Sequence, residues 1–140
     1  MRHALTALLL FASTSAMAAG SSAGYEYGGA SAPAARFDPV VQQYNRSGEL
    51  FRIDGHCQSA CTLFLGIRNV CIGAGASLLF HAAHDNRRVK SALWTAHFVR
   101  HYNARLRSHL LANHALDEVE KFYTISGSDM IRKFGYRRCP

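Results

Sequence analysis

The chain of 140 residues lacks the short cysteine motifs of redox and haem proteins. Its four cysteines form no Cys-x-x-Cys and no Cys-x-x-Cys-His pattern, which argues against a thioredoxin-like site and against covalent haem attachment. Acidic residues are scarce, with 9 against 16 lysines and arginines, and the net charge is +7. The basic residues are scattered, so we expect no nucleic acid partner. A basic exported domain is suited instead to anionic lipid, cell-wall polymers or acidic proteins.

Long hydrophobic runs are also absent after the amino terminus, which has the form of a secretory signal peptide. A short basic start at 2–3 precedes an apolar run at 4–16, and 16–18 is a small-x-small cleavage site. The apolar run is too short, and too interrupted by serine and threonine, to span a bilayer permanently. We therefore predict a signal peptide at 1–18 and a soluble exported protein, periplasmic or secreted, without a membrane span.

The cysteines suit that compartment. An even number of cysteines in an oxidising environment favours two disulfides, with three pairings open for four cysteines, and free buried thiols are the alternative. Cys57 and Cys61 flank Ser59 and can pair across the turn if the start of the following helix relaxes. Otherwise Cys61 is a small buried core thiol.

Strand and helix signals alternate along the rest of the chain, which favours a compact α/β domain with a mainly parallel sheet and flanking helices. Residues 19–35 are predicted as a linker with a first strand and a Gly-Gly turn, and 36–140 as the domain. The predicted strands are 25–27, 50–53, 69–72, 77–80 and 136–139, and the predicted helices are 37–45, 59–67, 89–113, 116–122 and 128–134. The first helix is expected to have Asp38 as its cap and Pro39 in its first turn.

The predicted helix 89–113 carries one apolar stripe, which we assign to core packing. The stripe recurs at every fourth residue, namely Trp94, Phe98, Tyr102, Leu106 and Leu110. His97 and His101 lie one helical turn apart, as zinc ligands do. The segment lacks the glutamate of a His-Glu-x-x-His motif, and histidines on a polar helix face are usually surface residues. The sequence therefore predicts no metal site and no cofactor.

Ser59 stands in the most informative segment, 54–65. It follows an extended run and a glycine, and it precedes small and apolar residues that indicate a buried helix. A hydroxyl at a strand-to-helix turn lies beside unpaired N–H groups, which can stabilise an oxyanion. The segment favours a nucleophile or, alternatively, an ordinary helix cap.

The phrase Ile-Asp-Gly-x-Cys-x-Ser-Ala-Cys-Thr at 53–62 and the later Phe-His-Ala at 80–82 carry a family resemblance. The chain resembles the Clp protease proteolytic subunit and its crotonase-superfamily relatives, and most closely small exported Clp-protease-like proteins of bacteria. The resemblance implies a Clp/crotonase-like α/β fold with Ser59 as nucleophile and His81 as general base. It also implies an oxyanion hole formed by the N–H groups of Gly29 and Ala60.

The third catalytic residue stays open within this resemblance. The alignment places Phe122 near the expected acid, with Asp129 as the next candidate and then Asp117; Asp85 could also approach His81 from its own loop. The implied function is a serine hydrolase acting on peptides or esters, and relatives of this kind commonly form homo-oligomers. The alternative is an inactive binding or structural module on the same fold, with Ser59 as a helix cap.

The resemblance also bears on the carboxyl terminus. In this fold the strand that contains Cys71 runs beside the last segment of the chain. The resemblance therefore implies a disulfide between Cys71 and Cys139 that clasps the carboxyl terminus to the domain.

Overall fold

Short strands alternate with helices in the computed structural model, which describes residues 20–23, 25 and 33–140. The predicted signal peptide and the predicted oxyanion-hole residue Gly29 lie outside these residues. The strands are β1 (Gly20–Ser21), β2 (Phe51–Ile53), β3 (His56–Gln58), β4 (Val70–Ile72), β5 (Ser77–Phe80) and β6 (Tyr123–Ser126). The helices are α1 (Pro33–Ser47), a 3-10 helix (Ser59–Gly66), α2 (Ala92–Arg100), α3 (Ala104–Ala112) and α4 (Gly127–Arg132).

Two small sheets form the centre of the domain. The first has the order β1-β2-β4 with both pairings parallel, and the second has the order β3-β5-β6, in which β3 and β5 are parallel and β6 is antiparallel. Helices α1 and α2 pack against the 3-10 helix beside these sheets. The structure thus confirms an α/β domain with mostly parallel strands and flanking helices.

An aromatic cluster lies where α1, β2 and the 3-10 helix meet. Phe37, Phe51 and Phe64 are almost fully buried, with ring centroids 5.1 Å apart for Phe37 and Phe64 and 4.5 Å apart for Phe51 and Phe64. Burying each such ring contributes about 1.5–3 kcal/mol. The 3-10 helix, whose residues Ala60 to Leu65 are all buried, is therefore held firmly in place.

The amino-terminal part of the domain differs from the prediction in two respects. The first strand is β1, whereas Tyr25 of the predicted strand 25–27 lies outside any strand. Helix α1 begins at Pro33, so Asp38 is not its cap and Pro39 lies inside it. Asp38 instead directs its carboxylate towards His97 of α2.

The segment 89–113 is two helices instead of one. Asn103 has an extended backbone conformation, and its side-chain oxygen accepts a hydrogen bond from the N–H of Leu106, so it caps α3. Its side-chain nitrogen donates to the carbonyl oxygen of Phe134 at 2.8 Å. The apolar stripe faces the core as expected except at Trp94, which is 41% exposed.

The predicted helix 116–122 is an irregular loop whose carbonyl oxygens bind groups elsewhere in the chain. Lys90 Nζ binds the carbonyl oxygen of residue 117 at 3.1 Å, and the N–H of Ala82 binds that of residue 118 at 2.9 Å. The imidazole of His81 binds the carbonyl oxygen of residue 119 at 2.5 Å. These bonds attach the loop to the segments that contain Lys90, Ala82 and His81.

Both disulfides in the structure link neighbouring elements. Cys57 pairs with Cys61 across the turn that contains Ser59, and Cys71 pairs with Cys139. The predicted last strand, 136–139, forms a single parallel bridge between Arg138 and Ile72 instead of a full strand. Two disulfides fit an exported protein. Across the described part of the chain, none of the helices has the length and hydrophobicity needed to cross a membrane.

Candidate active site

Parallel pairing of β3 with β5 brings Ser59 and His81 together. Gln58 at the end of β3 lies opposite Leu79 in β5, and Ser59 and His81 are the first residues after each strand. The carboxyl ends of parallel strands lie at the same edge of a sheet, which is where sites form in α/β domains. The nitrogen Nε2 of His81 lies 2.7 Å from Oγ of Ser59.

The contacts of His81 determine where its proton lies. Its Nδ1 is 2.5 Å from the carbonyl oxygen of Val119, and a carbonyl oxygen can only accept a hydrogen bond. Nδ1 therefore carries the proton in the neutral ring, and Nε2 has a free lone pair. The hydroxyl of Ser59 donates to Nε2, which is the arrangement that a general base requires.

The backbone at Ser59 is unusual. Its φ angle is +55°, in the left-handed region that residues other than glycine seldom adopt. Such strained conformations cluster at functional sites. The helix-cap reading of Ser59 is wrong, because Gln58 occupies the cap position and Ser59 Oγ is directed to His81 instead.

Ala60 follows directly and is buried in the first turn of the 3-10 helix. The first N–H groups of a helix have no acceptor within the helix, so the N–H of Ala60 is in a suitable position for an oxyanion. Gly29, the other predicted donor, is not among the described residues.

Burial lowers the pKa of His81 below its usual value of 6.5. His81 as a whole residue is 5% exposed, and removal from water disfavours the charged imidazolium. The hydrogen bond to Val119 and the charge of Glu120 act in the opposite direction, while His84 and Arg88 add to the lowering. At neutral pH the imidazole is therefore neutral and able to accept a proton.

Phe122 covers one face of the His81 ring, with centroids 4.6 Å apart. The alignment had placed this residue near the position of the family acid, and the structure brings it to the imidazole as a packing partner. A cavity of about 380 Å³ opens on the loop beside Phe122, and Glu118, Lys121 and Tyr123 also line it. The cavity offers both charges and aromatic surface, and Phe122 connects it to the His81 ring.

The three aspartates considered for the acid have other partners. Asp129 binds Arg132 and Lys133 on its own helix, and these hydrogen bonds and charges lower its pKa. Asp117 pairs with His114, with Oδ2 at 2.8 Å from Nδ1. The structure does not bring either of them to His81, whose Nδ1 contacts Val119.

Asp85 closes its own loop instead of reaching the imidazole. Its Oδ1 accepts hydrogen bonds from the backbone N–H groups of Arg87 and Val89, and these bonds lower its pKa. It lies four residues after His81 in the chain, yet the acceptor at His81 Nδ1 is the carbonyl oxygen of Val119.

Two parts of the site were missed from sequence. The partner of Nδ1 is the Val119 carbonyl, and a backbone atom has no signature in the sequence. Glu120 is the acid whose charge acts on His81, and it forms an ion pair with Arg88 at 2.6 Å. The carboxylates of 116–122 are evident in the sequence, but the alignment placed Phe122 near the position of the acid and the candidates weighed were aspartates.

The backbone under Ser59 is fixed from two sides. The disulfide Cys57–Cys61 bridges the turn. Thr62 Oγ1 donates to the carbonyl oxygen of Ser59 at 2.7 Å and accepts from the hydroxyl of Tyr102 at 2.7 Å. Burial holds the pKa of Tyr102 well above its usual range, so that hydroxyl stays a donor.

Comparison with protein-family models finds no matching family, and comparison with curated proteins finds no matching protein. The Clp-like assignment therefore stays a prediction from the residues at 53–62 and 80–82.

Proposed function

We propose that the chain is an exported serine hydrolase of the Clp-like type, a peptidase or an esterase. The observation that carries the proposal is the 2.7 Å contact between Ser59 Oγ and the unprotonated Nε2 of His81. The positive φ of Ser59 and the disulfide around it support the same role, because both fix the hydroxyl at the end of β3.

The proposed reaction has two steps. Oγ of Ser59 attacks the carbonyl carbon of the substrate while His81 Nε2 takes the hydroxyl proton. The N–H of Ala60 donates to the oxyanion that forms. The tetrahedral adduct then expels the amine or alcohol, which receives the proton from Nε2. Water attacks the acyl-Ser59 carbonyl with its proton passing to Nε2, the acid product leaves, and Ser59 recovers its proton.

In this proposal the Val119 carbonyl takes the position at His81 Nδ1 that an aspartate has in a full triad. It keeps the proton on Nδ1 and the ring in position. It carries only a partial charge, so it stabilises the imidazolium less than a carboxylate would. A moderate rate compared with full triads is therefore expected.

A fluorophosphonate probe tests the nucleophile, since it reacts with activated serines without requiring the natural substrate. We expect one equivalent of probe to attach at Ser59, as read by peptide mass spectrometry. Ser59→Ala should abolish labelling, and His81→Gln should slow it by about a hundredfold or more, because general-base catalysis contributes 10²–10⁴-fold.

Ser126→Ala is the matched control. Ser126 also lies between a strand and a helix, where its hydroxyl caps the N–H of Asp129. This variant should lose about 1 kcal/mol of stability and keep full labelling. Labelling that is absent in the wild type, or unchanged in Ser59→Ala, would favour the inactive binding module instead.

A further inference from the structure

A second cluster of chemically active side chains lies on the outer helices. Asp38 on α1 faces His97 on α2, with His97 Nε2 3.1 Å from Oδ1 and 3.0 Å from Oδ2. His101, at the end of α2, places its Nε2 3.9 Å from Oδ1 of the same carboxylate. All three side chains are between 17% and 26% exposed, so they are partly withdrawn from water yet open to it.

We propose that Asp38, His97 and His101 form a binding site for one divalent cation of borderline softness, with Zn²⁺ as the best fit. One ligand atom from each residue lies within 4.8 Å of the others. Tetrahedral zinc with bonds near 2.1 Å needs ligand atoms about 3.4 Å apart. The separations of 3.1 and 3.9 Å between Oδ1 and the two nitrogens bracket that value. Water would complete the coordination.

The orientation of the His101 ring already suits the binding of such an ion. Its Nδ1 lies 3.0 Å from the carbonyl oxygen of His97, which can only accept, so the proton is on Nδ1 and the Nε2 lone pair faces Asp38. Histidines that bind metals usually donate their other ring N–H to a carbonyl, a carboxylate or water, which fixes the orientation of the ring. Gly66 adds to this, because its Cα lies so close to the His101 ring that a Cβ would collide with it.

His97 requires one adjustment. Arg100 Nη2 lies 3.2 Å from His97 Nδ1, so without an ion Nδ1 accepts that bond and Nε2–H donates to Asp38. When zinc binds, the Nε2 proton is lost to solvent, Nδ1 takes up a proton, and the exposed Arg100 side chain moves away. Arg100 is therefore a competitor of the cation in both charge and hydrogen bonding.

The test is zinc titration of the untagged, disulfide-oxidised protein against a chromophoric chelator. We expect one equivalent per chain, and at least a tenfold loss of affinity in each of Asp38→Asn, His97→Gln and His101→Gln. Zinc at a hundredfold excess over Kd should raise Tm by roughly 8 °C, reversibly with a chelator.

His114→Gln is the matched control, since His114 forms a comparable pair with Asp117 at 2.8 Å without a second imidazole. It should bind zinc as the wild type does, while Arg100→Gln should bind more tightly. Imidazole nitrogen spectra of the wild type should show zinc-dependent shifts at His97 and His101, which keeps the test independent of variant folding. Absence of saturable zinc binding in the wild type, or binding that persists in His97→Gln and His101→Gln, overturns the proposal.

Discussion

His81 combines a fixed proton on Nδ1 with a buried ring, and together they determine how the site responds to pH. The carbonyl of Val119 sets the tautomer, and burial makes the charged form unfavourable. The neutral base therefore persists into mildly acidic solution, where an exposed histidine would already be protonated.

The expected pH profile follows from the lowered pKa of His81. The rate of fluorophosphonate labelling should have a plateau near pH 8 and fall as the pH decreases, because only neutral His81 accepts the Ser59 proton. The rate should reach half of its plateau value below pH 6.5. The measurement is the second-order labelling rate between pH 4.5 and 8.5.

Three groups near His81 influence this midpoint. His84 and Arg88 lower the pKa of His81 and Glu120 raises it. His84→Gln should therefore move the midpoint upward while leaving the plateau unchanged. A wild-type midpoint at or above pH 6.5 would contradict the burial argument.

Some residues of the site could be predicted from the sequence and others could not. Ser59 was found because it lies between an extended run and a buried apolar helix, and His81 was assigned through the family resemblance. The Val119 carbonyl could not be found, since every residue has one. Asp38 was interpreted as a helix cap because the start of α1 at Pro33 gives no strong signal, and its approach to His97 depends on tertiary packing.

At the scale of elements, the strands 50–53, 69–72 and 77–80 and the helices 37–45 and 128–134 were predicted close to their observed places. Strands β3 and β6 were not predicted, and further errors arose where apolar periodicity continues through a break or where backbone groups bond to distant partners. The stripe along 89–113 keeps its phase across the turn at 101–103, so periodicity alone could not reveal two helices. Carbonyl groups of 117–119 are occupied by distant partners, which no local pattern indicates.

The turn between β3 and the 3-10 helix should need its disulfide for function more than for folding. Removing Cys57–Cys61 by the double change to alanine frees a short loop, which costs about 2 kcal/mol in the chain-entropy model. Ser59 then loses one support of its positive φ, and small misplacements of a nucleophile slow reactions strongly. We expect labelling to slow about tenfold or more in a protein that is still folded by circular dichroism.

The folding stability of the whole domain should depend more on the disulfide Cys71–Cys139 than on Cys57–Cys61. Cys71 and Cys139 are 68 residues apart, and closing a loop of that size stabilises by about 4 kcal/mol in the same model. Changing both to alanine should therefore lower the free energy of unfolding in urea by about that amount. In the folded variant, labelling at Ser59 should stay within twofold of the wild type.

The two disulfide variants serve as controls for each other. One should affect labelling more than stability, and the other stability more than labelling. If loss of Cys71–Cys139 abolished labelling in folded protein, the conclusion that this disulfide stabilises the domain without affecting Ser59 would be wrong.

The same carboxyl-terminal segment has a consequence for self-association. The N–H of Ile72 donates to the carbonyl oxygen of Arg137 at 2.8 Å, and the N–H of Cys139 donates to that of Ile72 at 3.0 Å. These bonds cover the side of β4 that faces away from β2. An uncovered strand edge is a template for pairing with another chain. The last residues therefore protect β4 from pairing with other copies of the chain, and reduction of Cys71–Cys139 should raise the proportion of larger oligomers before the core unfolds.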